Sequence, residues 1–302
     1  MNKSILITGG AGFIGHHLVR AWLAKGATVR VLDNLRTGHA RNLEGLNVEF
    51  FHGSVTDSTL VQRAAEGVDV IHHFAAVVSV PESVEQPQLT LDVNMGGTLN
   101  VLDAAHRNGN TRVVLASSSS VYGNVERPAH RETDLPEPQS PYALTKLGGE
   151  HLLHTYAKLH GVGTVSLRYF NVYGPRQDPS SPYAAAIARF VAQAKQQKPL
   201  TIFDDGEQTR DFIHVQDVVA ANLLAAERGE GVYNVGRNEK LTVNELAHLI
   251  NQAAGSTAGV VHLPPRAGDV RHSRGNADRL MALGWAPRIS LEQGIAELVA
   301  EN

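Results

Sequence analysis

The stretch Ser4–Gly15, SILITGGAGFIG, decides the fold. A short apolar run gives way to Gly9, Gly12 and Gly15, and HHLVRAWLAKG then carries helical spacing. Strand, glycine turn and helix open a βαβ unit whose turn lets backbone N–H groups approach a pyrophosphate. Asp33 closes the second apolar run, TVRVLD, where a carboxylate that holds an adenosine ribose is expected. Such a carboxylate repels a 2′-phosphate and so favours NAD, while nearby Arg36 leaves NADP open. The bland alternative is a glycine-rich turn in an ordinary βα unit. No Gly-Lys-Ser/Thr follows the glycines, which excludes a kinase-type phosphate loop.

Working outward, VEFFHG, DVIHHFAA, RVVLASS and GTVSLRYFN read as further strands, separated by helix-length segments. That alternation predicts an α/β fold, a doubly wound parallel sheet of the Rossmann kind with a smaller C-terminal α/β substrate domain. Residues 1–171 are expected to form the dinucleotide-binding domain, rejoined by about 212–236, where GVYNVG reads as a return to the sheet. Residues 172–302, punctuated by Pro175, Pro179, Pro182 and Pro199, are expected to form mainly the second domain.

The 302 residues carry a formal net charge of −3 with charges interspersed, giving no basic footprint for nucleic acid or an anionic membrane. Cysteine is absent, which excludes disulfides and thiolate metal sites and suits a reducing cytoplasm. None of the histidines makes a metal-ligand pattern, HLLH at 151–154 included, so no metal is expected.

SPYALTK, Ser140–Lys146, predicts a helix start, with Ser140 as N-cap and Pro141 in the first turn. Tyr142 and Lys146 then lie one turn apart on one face. A phenol of ordinary pKa near 10 needs roughly 4 kcal/mol of help to act as a base near neutrality. One ammonium about 4 Å away supplies that much at an effective dielectric near 20. A surface Tyr–Lys pair is the plain alternative. The strand RVVLASS ends in four serines, Ser117–Ser120, where a parallel sheet opens its ligand crevice. A hydroxyl there could bridge a substrate alcohol and the phenol.

With TGGAGFIG, SSSSVYG, YALTK and RYFNVYGPRQ in order, the chain resembles the extended short-chain dehydrogenase/reductases, and within them the UDP-sugar 4-epimerases. The resemblance implies Ser118 as catalytic serine beside Tyr142 and Lys146, with Ser119 and Ser120 lining the pocket. It implies cofactor contacts from Phe13, Ile14, Asn34, Val55, Phe74, Ala75, Ala76, Asn94 and Tyr169 besides the glycines and Asp33. Ser54 stands where many relatives carry an acidic residue near adenine, and Asp57 is expected to cap a helix. For the nucleotide sugar it implies Asn171, Arg210, Arg266 and Asp269 at the diphosphate and ribose, and Thr201, Phe203 and Phe212 at the uracil slot. Two guanidiniums are a fitting clamp for a diphosphate. Gln177 and Tyr183, with Ser79, are expected to reach the sugar. Relatives pair the helices around 90–108 and 142–160 into a homodimer.

The resemblance further implies epimerisation through a 4-keto sugar, with NAD regenerated in each turnover. Dehydratases and decarboxylases of this kind carry an acidic residue just before VYG, where this chain has Ser119 and Ser120. The position seven after the arginine of RAGD is small in relatives that accept N-acetylhexosamines, and here it is Ser273. Val78 replaces a lysine of some glucose-specific relatives. UDP-GlcNAc/UDP-GalNAc interconversion is therefore expected ahead of UDP-glucose/UDP-galactose and UDP-glucuronate. A net NAD(P)H-consuming reductase and a non-catalytic NAD sensor are the competing classes.

Overall fold

The structure, a computed structural model, describes residues 3–179, 186–265 and 270–301. Tyr183, Arg266 and Asp269, expected at the nucleotide sugar, lie outside the described residues. All six strands read from the sequence form: β1 (Ser4–Thr8), β2 (Thr28–Asp33), β3 (Val48–His52), β4 (Val70–His73), β5 (Arg112–Ser118) and β6 (Thr164–Tyr169). After them run β7 (Asn171–Tyr173), β8 (Leu200–Phe203), β9 (Thr209–Arg210), β10 (Phe212–His214), β11 (Gly231–Val235), β12 (Leu241–Thr242) and β13 (Val260–Leu263). The parallel main sheet has the order β11-β6-β5-β4-β1-β2-β3, so GVYNVG does supply a seventh strand. Strand order reverses between β1 and β4, the switch point beyond whose carboxyl ends open α/β sheets bind their ligands.

The chain divides into two compact units. The first comprises residues up to Val121, Pro138–Arg168 and Val219–Tyr233. Its helices are α1 (Phe13–Ala24), α2 (Ser58–Ala65), α3 (Val80–Glu85), α4 (Pro87–Leu91), α5 (Gly97–Arg107) and α6 (Pro141–His160), with a π-turn at Asp92–Gly96 before α5. Asp57 caps α2, its carboxylate accepting from Leu60 N–H at 3.0 Å. Leu6, Ile71, Val113 and Leu115 pack with Val101, Leu102 and Leu153 into one core. Each such side chain contributes about 1.5–3 kcal/mol on burial.

The second unit comprises Tyr122–Glu137, Tyr169–Val218 and residues from Asn234 onward. Residues 122–137 thus depart from the expected division at 171. Their polar groups explain it: Tyr122 Oη donates to Asn234 Oδ1 at 2.7 Å, and His130 exchanges backbone hydrogen bonds with Arg274 and Asn276 at 2.8 Å. Strand β7 pairs with β10, β8 with β13 and β9 with β12. The helices α7 (Ala186–Lys195), α9 (Val243–Ala254) and α11 (Leu291–Ala300) supply Phe190, Leu246, Ile250 and Ile295 to a second core. Residues of helix α8 (Val215–Ala225) belong to both units, and α10 (Asp278–Met281) lies in the second.

Two fully buried histidines sit side by side on β4. Burial lowers both His72 and His73 to about 3, so each is neutral in the folded protein. Below the ordinary value of 6.5 the unfolded chain binds protons that these side chains refuse, so stability is complete above 6.5 and lost as pH falls. Together they should cost roughly 2.7 kcal/mol per pH unit between about pH 6 and 4. Thermal unfolding across that range should show a slope about halved in His72→Leu.

Candidate active site

The glycine turn is built by close approach. Gly9 has φ +71°, and a Cβ on it would lie 2.7 Å from Ala75 N. A Cβ on Gly15 would collide with the carbonyl oxygen of Gly9. Helix α1 starts at Gly12 with no side chain capping its first turn, which includes Phe13 and Ile14. Asp33 stands beside it, buried, accepting from Ala11 N–H at 2.9 Å and Leu35 N–H at 2.8 Å. Asn34 lies next in the chain and turns back to accept from Arg36 N–H at 3.1 Å. The guanidinium of Arg36 is paired with Glu82, so the cation that left NADP open is engaged. Val55 is buried, and its carbonyl takes the Asn100 amide at 2.9 Å. Phe74, Ala75 and Ala76 continue β4 past its last ladder residue, with Ala75 N–H on Thr8 Oγ1 at 3.2 Å. These residues fit NAD: a cradle that a Cβ would fill, a helix start without a side-chain cap and a fixed, buried carboxylate beside it.

The serines at the end of β5 divide their work. Ser117 is buried and donates to Glu150 at 2.5 Å. Ser118 hydrogen-bonds Tyr142 and accepts from Ser120 N–H at 3.1 Å. Ser119 is half-buried and opens the turn that follows, and Ser120 Oγ is buried without a hydrogen-bond partner among the described residues. Helix α6 begins as the sequence implies, with Ser140 Oγ accepting from Ala143 N–H at 3.1 Å and Pro141 in its first turn. Lys146 Nζ lies 5.7 Å from the Tyr142 ring centroid and donates to the Ala116 carbonyl at 2.7 Å.

The expected electrostatics need a correction here. Burial pushes the Tyr142 phenol above its ordinary 10, and the pull downward comes from Ser118. Lys146 is itself lowered to about 8 by burial, opposed by Glu150 one turn on. A cation so costly to bury and so firmly tied to a carbonyl does not by itself bring the phenol to neutrality.

Sequence reading missed the support beneath these groups. Glu150 forms a buried two-point pair with Arg168, at 2.8 and 2.6 Å. The available signal was a carboxylate four residues after Lys146, on the same face. Asn94 spends its amide on protein: Oδ1 accepts from Val77 N–H at 2.8 Å, and Nδ2 donates to the Val77 carbonyl and to Thr145 at 3.0 and 2.9 Å. Ser79 is used as the N-cap of α3.

The second unit holds Tyr169, Asn171, Gln177, Thr201, Phe203, Arg210, Phe212 and Ser273. Tyr169 and Phe212 are buried. Asn171 Nδ2 donates to the Asp211 carbonyl at 3.1 Å, and Gln177 Nε2 to that of Val172 at 3.2 Å. Arg210 Nη1 donates to the Thr209 carbonyl at 3.0 Å, and that carbonyl also accepts from Ser273 N–H at 3.1 Å. Gln193 holds Thr201 at both its N–H and its hydroxyl. Arg189, which the sequence did not single out, places its guanidinium 5.4 Å from the Phe203 ring. The carboxylate of Asp211, pushed up to about 7 by burial, accepts from the N–H groups of Arg237, Asn238 and Gly275.

A doubly wound sheet with a glycine cradle at its switch point, a buried carboxylate at the end of β2 and a tyrosine–lysine helix defines an NAD-dependent enzyme. The chain belongs to the NAD dependent epimerase/dehydratase family, which matches residues 5–236. It is 38% identical to the UDP-glucose 4-epimerase of Thermotoga maritima solved with UDP-glucose, at a TM-score of 0.95 over 98% of this chain and 97% of that one. It is 35% identical to the UDP-N-acetylglucosamine 4-epimerase of Methanobrevibacter ruminantium in complex with UDP-N-acetylmuramic acid, at 0.95 over 99% and 97%. It is 40% identical to the Thermus thermophilus UDP-glucose 4-epimerase in complex with NAD, at 0.92 over 98% and 97%. Among the described residues no group of histidines and carboxylates could hold a metal, and no helix is long and apolar enough to cross a membrane.

Proposed function

We propose that this NAD-dependent UDP-sugar 4-epimerase interconverts UDP-GlcNAc and UDP-GalNAc through a 4-keto intermediate. Tyr142 takes the proton of the sugar's 4-hydroxyl, and Ser118, already on the phenol, orients that oxygen. Lys146 binds on the cofactor side of α6 and keeps a positive charge near the phenol. NAD, when bound, accepts the hydride from C4 of the sugar and returns it to the opposite face of the ketone, so no second redox substrate is consumed. Arg210 and Asn171 hold the diphosphate end, with Arg266 and Asp269. A homodimer through α4, α5 and α6 belongs to the same reading and is supported by the exposed Leu91, Leu99, Leu144 and Leu159.

The observation that carries the N-acetyl preference is Ser273, a small half-buried side chain fixed through its N–H to the carbonyl that Arg210 also uses. A small side chain leaves room for an acetamido group. UDP-glucose is the second reading, supported by the UDP-glucose 4-epimerases among the similar proteins. Incubation with UDP-GlcNAc and with UDP-glucose separately, without added NAD, followed by NMR of the anomeric protons, tests both. Ser273→Tyr should lose roughly a hundredfold in kcat/KM for the N-acetylated substrate and only a few-fold for UDP-glucose. Equal losses would exclude Ser273 as the gate.

A further inference from the structure

Buried within the first unit, a one-way chain of hydrogen bonds joins the end of β4 to the helix that carries Tyr142. Thr98 Oγ1 lies 2.5 Å from the Asn94 carbonyl, so its single hydrogen points there. His73 Nε2, 3.1 Å from Thr98 Oγ1, must therefore be the donor. A neutral ring then presents Nδ1 as acceptor, and Thr8 Oγ1 donates to it at 2.7 Å. Thr8 in turn accepts from Ala75 N–H at 3.2 Å, in the strand end that faces the glycine turn. At the other end, the Asn94 side chain donates to Thr145 Oγ1, which donates to the Tyr142 carbonyl at 2.8 Å. Asn94 sits in the π-turn before α5, whose wider backbone sets its carbonyl and amide toward these partners.

We propose that His73 is a positioning residue, a fixed Nε2–H tautomer that locks the helix bearing Tyr142 and Lys146 to the strand ends that receive NAD. The inference rests on Tyr142 as the catalytic base. The charged group facing the ring is Lys146, whose cation opposes protonation of His73, and burial acts the same way. A neutral imidazole has one donor and one acceptor, matching the one acceptor and one donor offered to it. Leucine leaves the Thr8 hydroxyl without its acceptor in a dry core, and the link from Ala75 to Thr145 is broken. The first turn of α6 then loosens, and with it the Ser118 bond, the downward pull on the phenol.

The test compares wild type with His73→Leu, His73→Gln, Thr98→Val and His72→Leu. His73→Leu should lower kcat about ten- to a hundredfold, leave KM for the UDP-sugar within about threefold, and shift the pH profile of kcat upward. It should also release NAD during gel filtration, measured by absorbance of the denatured protein's supernatant. His73→Gln restores an N–H donor toward Thr98 and should recover part of kcat. His72→Leu, equally buried on the same strand, should change thermal stability while keeping the pH profile. Where His73→Leu does not fold, Thr98→Val cuts the same chain and is read the same way. The proposal is overturned if both His73→Leu and Thr98→Val keep kcat per NAD-loaded chain and the pH profile of wild type, or if His72→Leu shifts the profile equally. Tyr142→Phe is assayed alongside: near-normal turnover there would remove the base itself, a failure distinct from that of the link.

Discussion

Tyr142→Phe should reduce turnover of the UDP-sugar by about a thousandfold, with NAD and UDP-sugar still bound. General-base catalysis of this kind contributes roughly 10²–10⁴-fold, and no other described group on Ser118 offers to take the proton. The substitution removes one oxygen and leaves the ring. Ser118 keeps the N–H of Ser120 as partner, so stability should change by no more than about 1.5 kcal/mol. The wild-type rate should rise with pH from 6 upward, because burial holds the phenol high and the base is its minor, deprotonated form. The variant should show no such rise. Single-turnover NMR and a pH series of kcat check both outcomes, and a variant with normal turnover, or with the wild-type pH rise intact, would reassign the base.

How much of this was legible beforehand depends on the range of the interaction. Local patterns read well: SILITGG as strand and turn, Ser140 and Pro141 as a helix start, Asp57 as a cap, GVYNVG as a seventh strand. Each rests on neighbours within a few residues. The long-range polar network was not legible. Thr8, His73, Thr98 and Thr145 come from four separate elements, and nothing in their spacing says that they share one hydrogen-bonded line. Nor did spacing reveal Asp211, whose three N–H donors come from two distant loops. That residues 122–137 group with the second unit was not legible either, because their anchors, Asn234 and Asn276, lie about a hundred residues or more away. The tyrosine–lysine pair was read correctly as neighbours and too generously as electrostatics, since spacing shows proximity and hides burial.

That last point makes Lys146→Met the sharper experiment. Lys146 has a folded pKa of about 8 against an ordinary 10.5, so between these values the unfolded chain holds a proton that the folded chain has lost. Stability therefore rises with pH across that window, and below 8 the cost of the buried cation, at most roughly 3 kcal/mol, is fully present. Methionine fills the same volume without the charge. Melting temperature at pH 7 should hold or rise, although the bond to the Ala116 carbonyl is gone. Turnover should fall a hundredfold or more, because the phenolate loses an ammonium beside its ring. In wild type the rate should decline again above about pH 8 as Lys146 discharges, making the profile bell-shaped, and the variant should lack that alkaline limb. A lysine that served only to tie α6 to Ala116 would give the opposite pairing, with stability and turnover falling together at pH 7. Thermal unfolding and kcat measured on the same samples from pH 6 to 10 separate the two, since only a charge retained for chemistry is costly to the fold and indispensable to the rate.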